Sequence, residues 1–111
     1  MFGARRVAIN PGESRAWYLG AVNLMYLGER ERAFQWADRA IAVDPNEVST
    51  FYNLGCMYAV AGEKDRALAN LERAVQLGFA QREWVDNDSD WDSVRDDPRF
   101  EKIRGQIGPS A

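Results

Sequence analysis

The chain has 111 residues and a formal net charge of −3, with 46% apolar and 28% charged residues. This length fits one domain, and this composition is typical of a folded globular chain rather than a disordered one. The negative balance disfavours nucleic acid and anionic membranes as partners, because both are bound through a basic face.

The compartment is indicated by features that the sequence lacks. Cys56 is the only cysteine, so no internal disulfide framework can form, which is typical of a reducing compartment. No apolar run is long enough for a membrane span, and the first residues, MFGARRVAINPGE, contain no stretch suited to a secretion signal. The sequence therefore predicts a cytoplasmic protein that does not contact a membrane.

Apolar residues recur at helical spacing through most of the chain, and glycine or proline interrupts them. The pattern predicts four helices, at residues 14–27, 31–43, 47–61 and 64–77. Gly28, Gly62 and Gly78 are suited to ending helices, and Pro45 stops the second one. No helix is apolar all round, so each must bury one stripe against a neighbour. The sequence therefore predicts an all-α fold.

The elements predicted after this region are shorter. A helix is predicted at residues 81–86, followed by a loop or turn through Ser93 and a helix at residues 98–107. Asp97 can cap the last helix, and Pro98 suits its first position.

The sequence repeats with a period of 34 residues. Shifting residues 14–47 onto residues 48–81 makes seven pairs identical, where average composition would give about two. These pairs are Tyr18/Tyr52, Gly28/Gly62, Glu29/Glu63, Arg32/Arg66, Ala33/Ala67, Arg39/Arg73 and Ala40/Ala74. Residues 4–13 match the end of the first unit in the same way, so we interpret them as the end of a truncated preceding repeat. That interpretation leaves an apolar edge at Val7 and Ile9.

Small residues recur where the two helices of each unit would cross. Ala21 or Gly55 in the first helix would face Ala33 or Ala67 in the second, because two backbones approach closely only where neither carries a large side chain. An aromatic residue would fill the space between units. The predicted packing positions are Trp17, Ala21, Ala33, Ala40, Phe51, Gly55, Ala67 and Ala74.

This pattern resembles the tetratricopeptide repeat over residues 4–81. The resemblance is carried by Trp17 or Phe51, Leu54, Gly55, Tyr58, Ala67, Leu71, Ala74 and the closing Pro45. The first unit departs from the pattern, with Gly20-Ala21 in place of Leu-Gly, and Phe79 stands where proline is usual. The resemblance implies a right-handed α-α superhelix of helical hairpins, with units at residues 14–47 and 48–81 and capping helices within residues 82–107.

The resemblance also implies where a partner would bind, since the first helix of each pair lines a concave groove in this family. Aromatic side chains and a methionine on such a surface suit an extended or helical peptide. The implied groove residues are Tyr18, Val22, Met25, Tyr26, Ser49, Tyr52, Asn53 and Cys56, with Arg15 and Val60 beside them. Tyr18 and Tyr52 could instead cover neighbouring units, and the sequence favours neither interpretation. Some family members clamp a terminal carboxylate, but only Asn53 stands at a matching position here.

The acidity of the chain belongs to its tail, because residues 83–101 hold eight acids against two arginines. The 34-residue register begins a third unit near Arg82 and is lost after Val85. We expect the tail to cover the second unit with its apolar side chains and to present the acids to water. The segment NDSDWDSVRDDPRF is similar in sequence to the closing segments of tetratricopeptide arrays in large bacterial signalling proteins. Those include class III adenylate or guanylate cyclases and winged-helix regulators, and the likeness implies a parent protein rather than cyclase chemistry in this chain.

No catalytic or metal site is predicted, and no cofactor. The chain has no histidine, so Cys56 has no Cys–His partner and zinc has no imidazole ligand. Asp86, Asp88 and Asp90 alternate like the start of a calcium loop. However, Trp91 stands where that loop needs glycine, and Asp97 stands where it needs glutamate. We therefore expect a chain that is not an enzyme.

Together these observations predict a noncatalytic protein-interaction or scaffolding module that binds a peptide or a neighbouring domain. The alternative is a structural terminator or self-association element that regulates an attached cyclase or transcriptional regulator. The apolar edge at Val7 and Ile9 motivates that alternative.

Overall fold

The computed structural model describes residues 13–108, which are helical and contain no strand. Six α-helices and one 3₁₀ helix follow one another along this part of the chain. They are α1 (Ser14–Tyr26), α2 (Arg30–Val43), α3 (Val48–Val60), α4 (Lys64–Gln76), α5 (Arg82–Asn87), the 3₁₀ helix (Ser89–Val94) and α6 (Pro98–Gly105). Within residues 13–108, no helix combines the length and the apolar character that crossing a bilayer requires.

The helix starts keep the 34-residue period through the tail. Helices α1, α3 and α5 begin at residues 14, 48 and 82, and helices α2, α4 and α6 begin at residues 30, 64 and 98. The first position of each unit therefore opens a helix three times, although residue identities stop matching after Val85. The helix starts thus keep the 34-residue spacing in the part of the tail where the residue identities lose it. The tail is a third unit in which the first helix is broken at Asp88 into α5 and the 3₁₀ helix.

Three glycines end helices in the same way. Gly28, Gly62 and Gly78 have φ of 81°, 80° and 110°, a region that side-chain-bearing residues rarely adopt. Around Gly28, the N–H of Glu29 donates to the carbonyl of Leu24 at 2.9 Å. The equivalent bonds recur at Gly62 and at Gly78, so each turn is a Schellman motif that pairs the last free carbonyls of its helix.

The helices pack as hairpins. The loop between α1 and α2 spans residues 27–29, and the loop between α3 and α4 spans residues 61–63, so each pair must run antiparallel. Helix α1 packs against α2 and helix α3 against α4, while α1 and α2 both contact α3. The 3₁₀ helix lies against α3 and α6 lies against α4, so the tail covers the open side of the second hairpin.

The small residues lie at the helix crossings. Ala21, Ala33, Ala40, Ala67 and Ala74 are fully buried, and Gly55 is buried with them. A Cβ atom on Gly55 would lie 3.3 Å from the carbonyl oxygen of Ala67. This distance is the close backbone approach that the sequence predicts.

The two aromatic packing positions differ. Trp17 is half-buried and meets Trp36 of the same hairpin edge to face, with ring centroids 5.0 Å apart. The Trp36 ring occupies the space that a side chain on Gly20 would need. Phe51 is buried, and the guanidinium of Arg73 from the same hairpin lies 5.9 Å from its ring centroid. Each of these two contacts lies within one unit. That both aromatics fill the space between units stays a prediction.

Contacts between the two hairpins are made by other side chains. Ser14 Oγ and Thr50 Oγ1 share a buried hydrogen bond of 2.6 Å. Phe34 and Tyr58 pack with ring centroids 5.2 Å apart. The guanidinium of Arg66 lies over both rings, at 4.8 Å and 5.6 Å from their centroids. The hairpins are thus joined by a buried polar contact and by an aromatic pair under a cation.

Ion pairs at the helix starts repeat with the period. Arg30 at the start of α2 pairs with Glu63 at 2.6 Å, and Lys64 at the start of α4 approaches Asp97 at 4.0 Å. Each pair joins the first residue of one second helix to the residue that caps the next. This repetition is independent support for treating the tail as a third unit.

The break in the third unit is held together by Arg95. Its Nη2 donates to the carbonyl of Val85 at 3.0 Å and to the carbonyl of Asp88 at 2.8 Å. The Val85 carbonyl lies in the last turns of α5, and the Asp88 carbonyl also accepts from the backbone N–H of Trp91 in the 3₁₀ helix at 3.2 Å. Arg95 therefore joins the two pieces on either side of the break. Arg104 of α6 forms a two-point ion pair with Asp86, at 2.5 Å and 3.1 Å, which ties the last helix to α5.

The predicted helix positions are confirmed, with ends that differ by at most two residues. The Asp97 cap is confirmed, since its carboxylate accepts from the backbone N–H of Arg99 at 2.9 Å and Pro98 opens α6. The segment predicted as a loop or turn through Ser93 is mostly a short 3₁₀ helix, which the sequence analysis did not predict. The truncated repeat predicted before residue 13, with its edge at Val7 and Ile9, lies outside the described residues.

Candidate functional site

A hollow of about 260 Å³ opens between α1, α3 and the 3₁₀ helix. Its walls are mostly apolar and include two thioether or thiol sulfurs from the centre of α3. The lining residues are Val22, Met25, Tyr26, Asn53, Cys56, Met57, Val60, Ala61 and Asp90. We refer to this hollow as the groove.

The rim of the groove exposes apolar side chains to solvent. Tyr26 is 76% exposed and Val60 is 54% exposed, and they stand at the last residues of α1 and α3. Exposed apolar side chains that flank a hollow mark a place where a partner can bury them.

Five of the predicted groove residues line the groove together: Val22, Met25, Tyr26, Asn53 and Cys56. The predicted neighbour Val60 lines it as well. Ser49 is exposed in the first turn of α3, where its carbonyl accepts from Asn53 Nδ2 at 2.8 Å, and it does not line the groove. Arg15 is exposed near the start of α1, also outside the lining.

The two tyrosines that the period makes equivalent are buried. Tyr18 is 7% exposed and Tyr52 is 6% exposed, and neither lines the groove. Burial raises the pKa of both phenols above the ordinary value. Both side chains are therefore buried within the protein, and neither is presented to the groove.

Tyr52 is the centre of the contact between α3 and the tail. Its ring stacks on Phe79 with centroids 4.6 Å apart and an interplanar angle of 14°. Trp91 Nε1 donates to the Tyr52 hydroxyl at 3.2 Å, and that hydroxyl donates to Asp88 at 3.3 Å. The Trp84 ring packs edge to face against the Tyr52 ring, with ring centroids 5.8 Å apart. Tyr52 therefore anchors the third unit rather than presenting its ring to a ligand.

One end of the groove is acidic. The ligand atoms of Cys56, Asp88 and Asp90 all lie within 4.8 Å of one another. The Cys56 thiol donates to an Asp88 carboxylate oxygen at 3.7 Å, and the backbone N–H of Asp90 donates to the other oxygen at 3.0 Å. Asp88 is thus engaged by neighbours, while the Asp90 side chain lines the groove.

The charge of Asp90 is not balanced by a cation from this part of the chain. Within residues 13–108, no lysine or arginine forms an ion pair with it. Burial raises the pKa of Asp90, and the negative charges of Asp88 and Asp92 raise it further. The groove therefore ends at a half-buried carboxylate whose ionised form lacks a partner.

The acidic end does not have the ligand set of a metal-ion site. Calcium takes six to eight oxygen ligands, and here two carboxylates and one thiol converge. Burial, with the nearby charges of Asp88 and Asp90, raises the pKa of the Cys56 thiol well above its ordinary value. A thiol in this state is a poor metal ligand and a poor nucleophile, because both roles require the thiolate.

A second, shallower depression lies on the tail beside the groove. It is lined by Tyr52, Glu83, Trp84, Asn87 and Asp88. Trp84 is exposed at this place, and it is packed edge to face against both Tyr52 and Phe79. The prediction buried Trp84 over the second unit, and its exposure is a difference from that expectation.

Sequence reasoning missed Met57, Ala61 and Asp90 as groove residues. Met57 and Ala61 adjoin predicted positions, and a helical wheel of α3 could have included Met57 one turn from Asn53. Asp90 gave no signal, because the sequence presented it as one of many acids on a solvated tail.

The chain was compared with protein-family models, with curated proteins and with solved structures, and none of the three comparisons found a match. The fold and the groove are therefore interpreted from their own geometry.

Proposed function

We propose that this chain is a noncatalytic protein-interaction module of the tetratricopeptide type, which binds a partner segment in the groove. The observation that carries the proposal is the apolar hollow between α1 and α3, with Tyr26 and Val60 exposed at its rim. The equal spacing of the helix starts and the three Schellman turns support a repeat of helical hairpins, which is an architecture built for binding along one face.

The size of the groove favours a peptide over a small metabolite. Sites for small molecules typically enclose about 300–1,000 Å³ and bury most of the ligand. The groove is smaller, at about 260 Å³, and open. It can receive one or two side chains of a larger partner, while Tyr26 and Val60 cover the backbone around them.

The side chains in the groove favour binding without chemistry. Met25 and Met57 are flexible and polarisable, which suits adaptable apolar contacts. The Cys56 thiol stays protonated, and the chain has no histidine to act as a general base. The likeness of the tail to closing segments in bacterial signalling proteins supports a role as the array of a larger signalling protein.

A displayed library of random peptides, selected on the immobilised chain, tests this proposal. Selected peptides should shift the backbone amide signals of residues 22–26 and 53–61 in the ¹⁵N-labelled chain. Val60→Lys should abolish binding, because it places a charge on the apolar rim. Ala42→Lys is the matched control, since Ala42 is an exposed residue near the end of α2 outside the groove. Selected peptides that shift signals only elsewhere, or that bind Val60→Lys unchanged, would contradict the groove.

A second candidate is a structural terminator, and the broken third unit favours it. A first helix divided at Asp88 presents α5 and the 3₁₀ helix instead of one straight helix face to a following repeat. Sedimentation velocity across a concentration series distinguishes self-association from a pure terminator. A monomer at every concentration would count against the self-association element, and a dimer that persists in Val60→Lys would place its interface outside the groove.

A further inference from the structure

The groove has a charged end that the proposed function does not use. Among the lining residues within 13–108, Asp90 alone is charged, and the other lining side chains are neutral. A ligand that fills the apolar part must place some group against this carboxylate. The chemistry of that group is therefore set by Asp90.

The electrostatics at this end favour a cation. Asp90 is half-buried, and Asp88 lies close enough for their carboxylate oxygens to fall within 4.8 Å of each other and of the Cys56 sulfur. Asp88 accepts hydrogen bonds from Tyr52 and Cys56, which leave its negative charge in place. Within residues 13–108 no basic side chain pairs with Asp90, so a cation supplied by the partner would remove an uncompensated charge.

The same electrostatics disfavour an acidic ligand. A carboxylate or phosphate at this end would stand beside two aspartates, with no cation to separate the like charges. A neutral polar group would leave Asp90 unpaired inside the complex. The apolar walls, meanwhile, select side chains such as leucine, phenylalanine or methionine.

We propose that the groove selects a peptide segment in which an apolar side chain, seated between α1 and α3, is accompanied by a lysine or arginine paired with Asp90. This inference rests on the proposed function and specifies the chemistry of the partner. Arginine is the better fit where the carboxylate offers both oxygens, because its planar fork binds them together.

The composition of selected peptides tests the charge preference separately from the groove itself. Selection on the wild-type chain should enrich lysine and arginine over aspartate and glutamate beside the apolar residues. Selection on Asp90→Asn should lose that enrichment but still return apolar peptides. Asp96→Asn, which removes an exposed acid of the same tail outside the groove, should behave as wild type.

Affinity measurements on synthetic peptides give the magnitude. A selected peptide and its Arg→Glu version should differ by about tenfold in Kd on the wild-type chain, and the difference should disappear on Asp90→Asn. The preference should also weaken as salt is added, since part of it is Coulombic.

The other outcomes are decisive. Apolar peptides that bind at the groove without any basic preference, or with an acidic one, overturn this inference and leave the proposed function standing. If no peptide is enriched, both fail. Peptides that bind only after residues 1–12 have been deleted would show that the chain's own segment, which contains Arg5 and Arg6, fills the groove in place of an external partner.

Discussion

Trp91 Cη2 lies 2.7 Å from the position that a Cβ atom on Gly55 would occupy. The ring is fully buried, and its Nε1 is hydrogen-bonded to Tyr52, so it has little freedom to withdraw. The absence of a side chain at Gly55 therefore serves two contacts at once. It lets α4 approach α3, and it receives the tryptophan that docks the tail.

Replacement of this glycine tests both contacts. Gly55→Ala is expected to lower the free energy of unfolding by about 1–3 kcal/mol, because the new methyl group would overpack a buried ring and the backbone at Ala67. Urea denaturation followed by circular dichroism measures the change. Gly105→Ala is the control, since a Cβ there meets nothing within 4 Å and the helix gains alanine's higher propensity. Equal stability of the two variants would refute the account of the crossing.

The Arg66 guanidinium, which lies over Phe34 and Tyr58, should contribute less to stability than the crossing at Gly55. Arg66→Lys should cost about 0.5 kcal/mol, because lysine loses the planar stacking on Phe34 and Tyr58 and the side chain is half-exposed. Arg32→Lys is the matched control, one period earlier, with the same i,i+3 ion pair but no ring contact among residues 13–108. The difference between the two variants in urea midpoints isolates the stacking. A control that loses as much stability would assign the cost to the ion pair instead.

The buried hydroxyl pair between hairpins should be sensitive to loss of one member. Thr50→Val should cost about 1–3 kcal/mol, because Ser14 then keeps a buried hydroxyl without its partner. Thr50→Ser retains the hydroxyl and should cost less, and Ser14→Ala should cost less than Thr50→Val because Thr50 also reaches Glu47. Thermal unfolding of the three variants gives the order. Thr50→Val as stable as Thr50→Ser would mean that the hydroxyl pair contributes nothing.

Cys56 should be almost unreactive in the folded chain. Burial raises the pKa of its thiol, and the charges of Asp88 and Asp90 act in the same direction, so little thiolate exists at mildly alkaline pH. A disulfide-exchange reagent followed by absorbance should label it slowly in buffer and rapidly in urea. Labelling in buffer at the rate of the unfolded chain would show that the thiol is exposed or its pKa ordinary.

Asp90 should make stability depend on pH in a definite direction. Its pKa in the folded chain is raised by burial and by Asp88 and Asp92, so the ionised carboxylate is disfavoured on folding. The stability of the protonated form is lost as pH rises through the folded pKa. Asp90→Asn should therefore be more stable than wild type near neutral pH. Its advantage should shrink as pH falls through the raised folded pKa and should be gone below the ordinary value of 3.8.

Paired denaturation series at several pH values measure this difference. Asp96→Asn, which removes an exposed acid of the same tail, again serves as the control for loss of one negative charge. An Asp90→Asn advantage that grows as pH falls would contradict the sign of the shift.

The local features of this fold were readable from the sequence. Gly28 and Gly62 marked helix ends because only glycine enters the left-handed region cheaply, and that requirement is visible in one residue. Ala33 and Ala67 marked crossings because small size is a property of the residue itself. The helix positions followed from periodic burial, which needs no knowledge of the partner helix.

The site was only partly readable, because its missing members depend on how the tail returns to α3. Tyr52 is buried by Phe79, Trp84 and Trp91, which lie 27 to 39 residues later in the chain. Asp90 reaches the groove because the third unit breaks at Asp88. Neither event leaves a local periodicity. The sequence followed the third unit only to Val85, because its period survives in helix boundaries and not in residue identities.

The repeated ion pairs at the helix starts have a consequence for changing the length of the molecule. Arg30–Glu63 and Lys64–Asp97 join successive units by the same kind of charge pairing at the same spacing. A duplicate of residues 48–81 inserted before the tail would place Lys64 against a second copy of Glu63, again a base facing an acid. The chain can thus be lengthened by whole units between residues 81 and 82 while the original closing segment is retained.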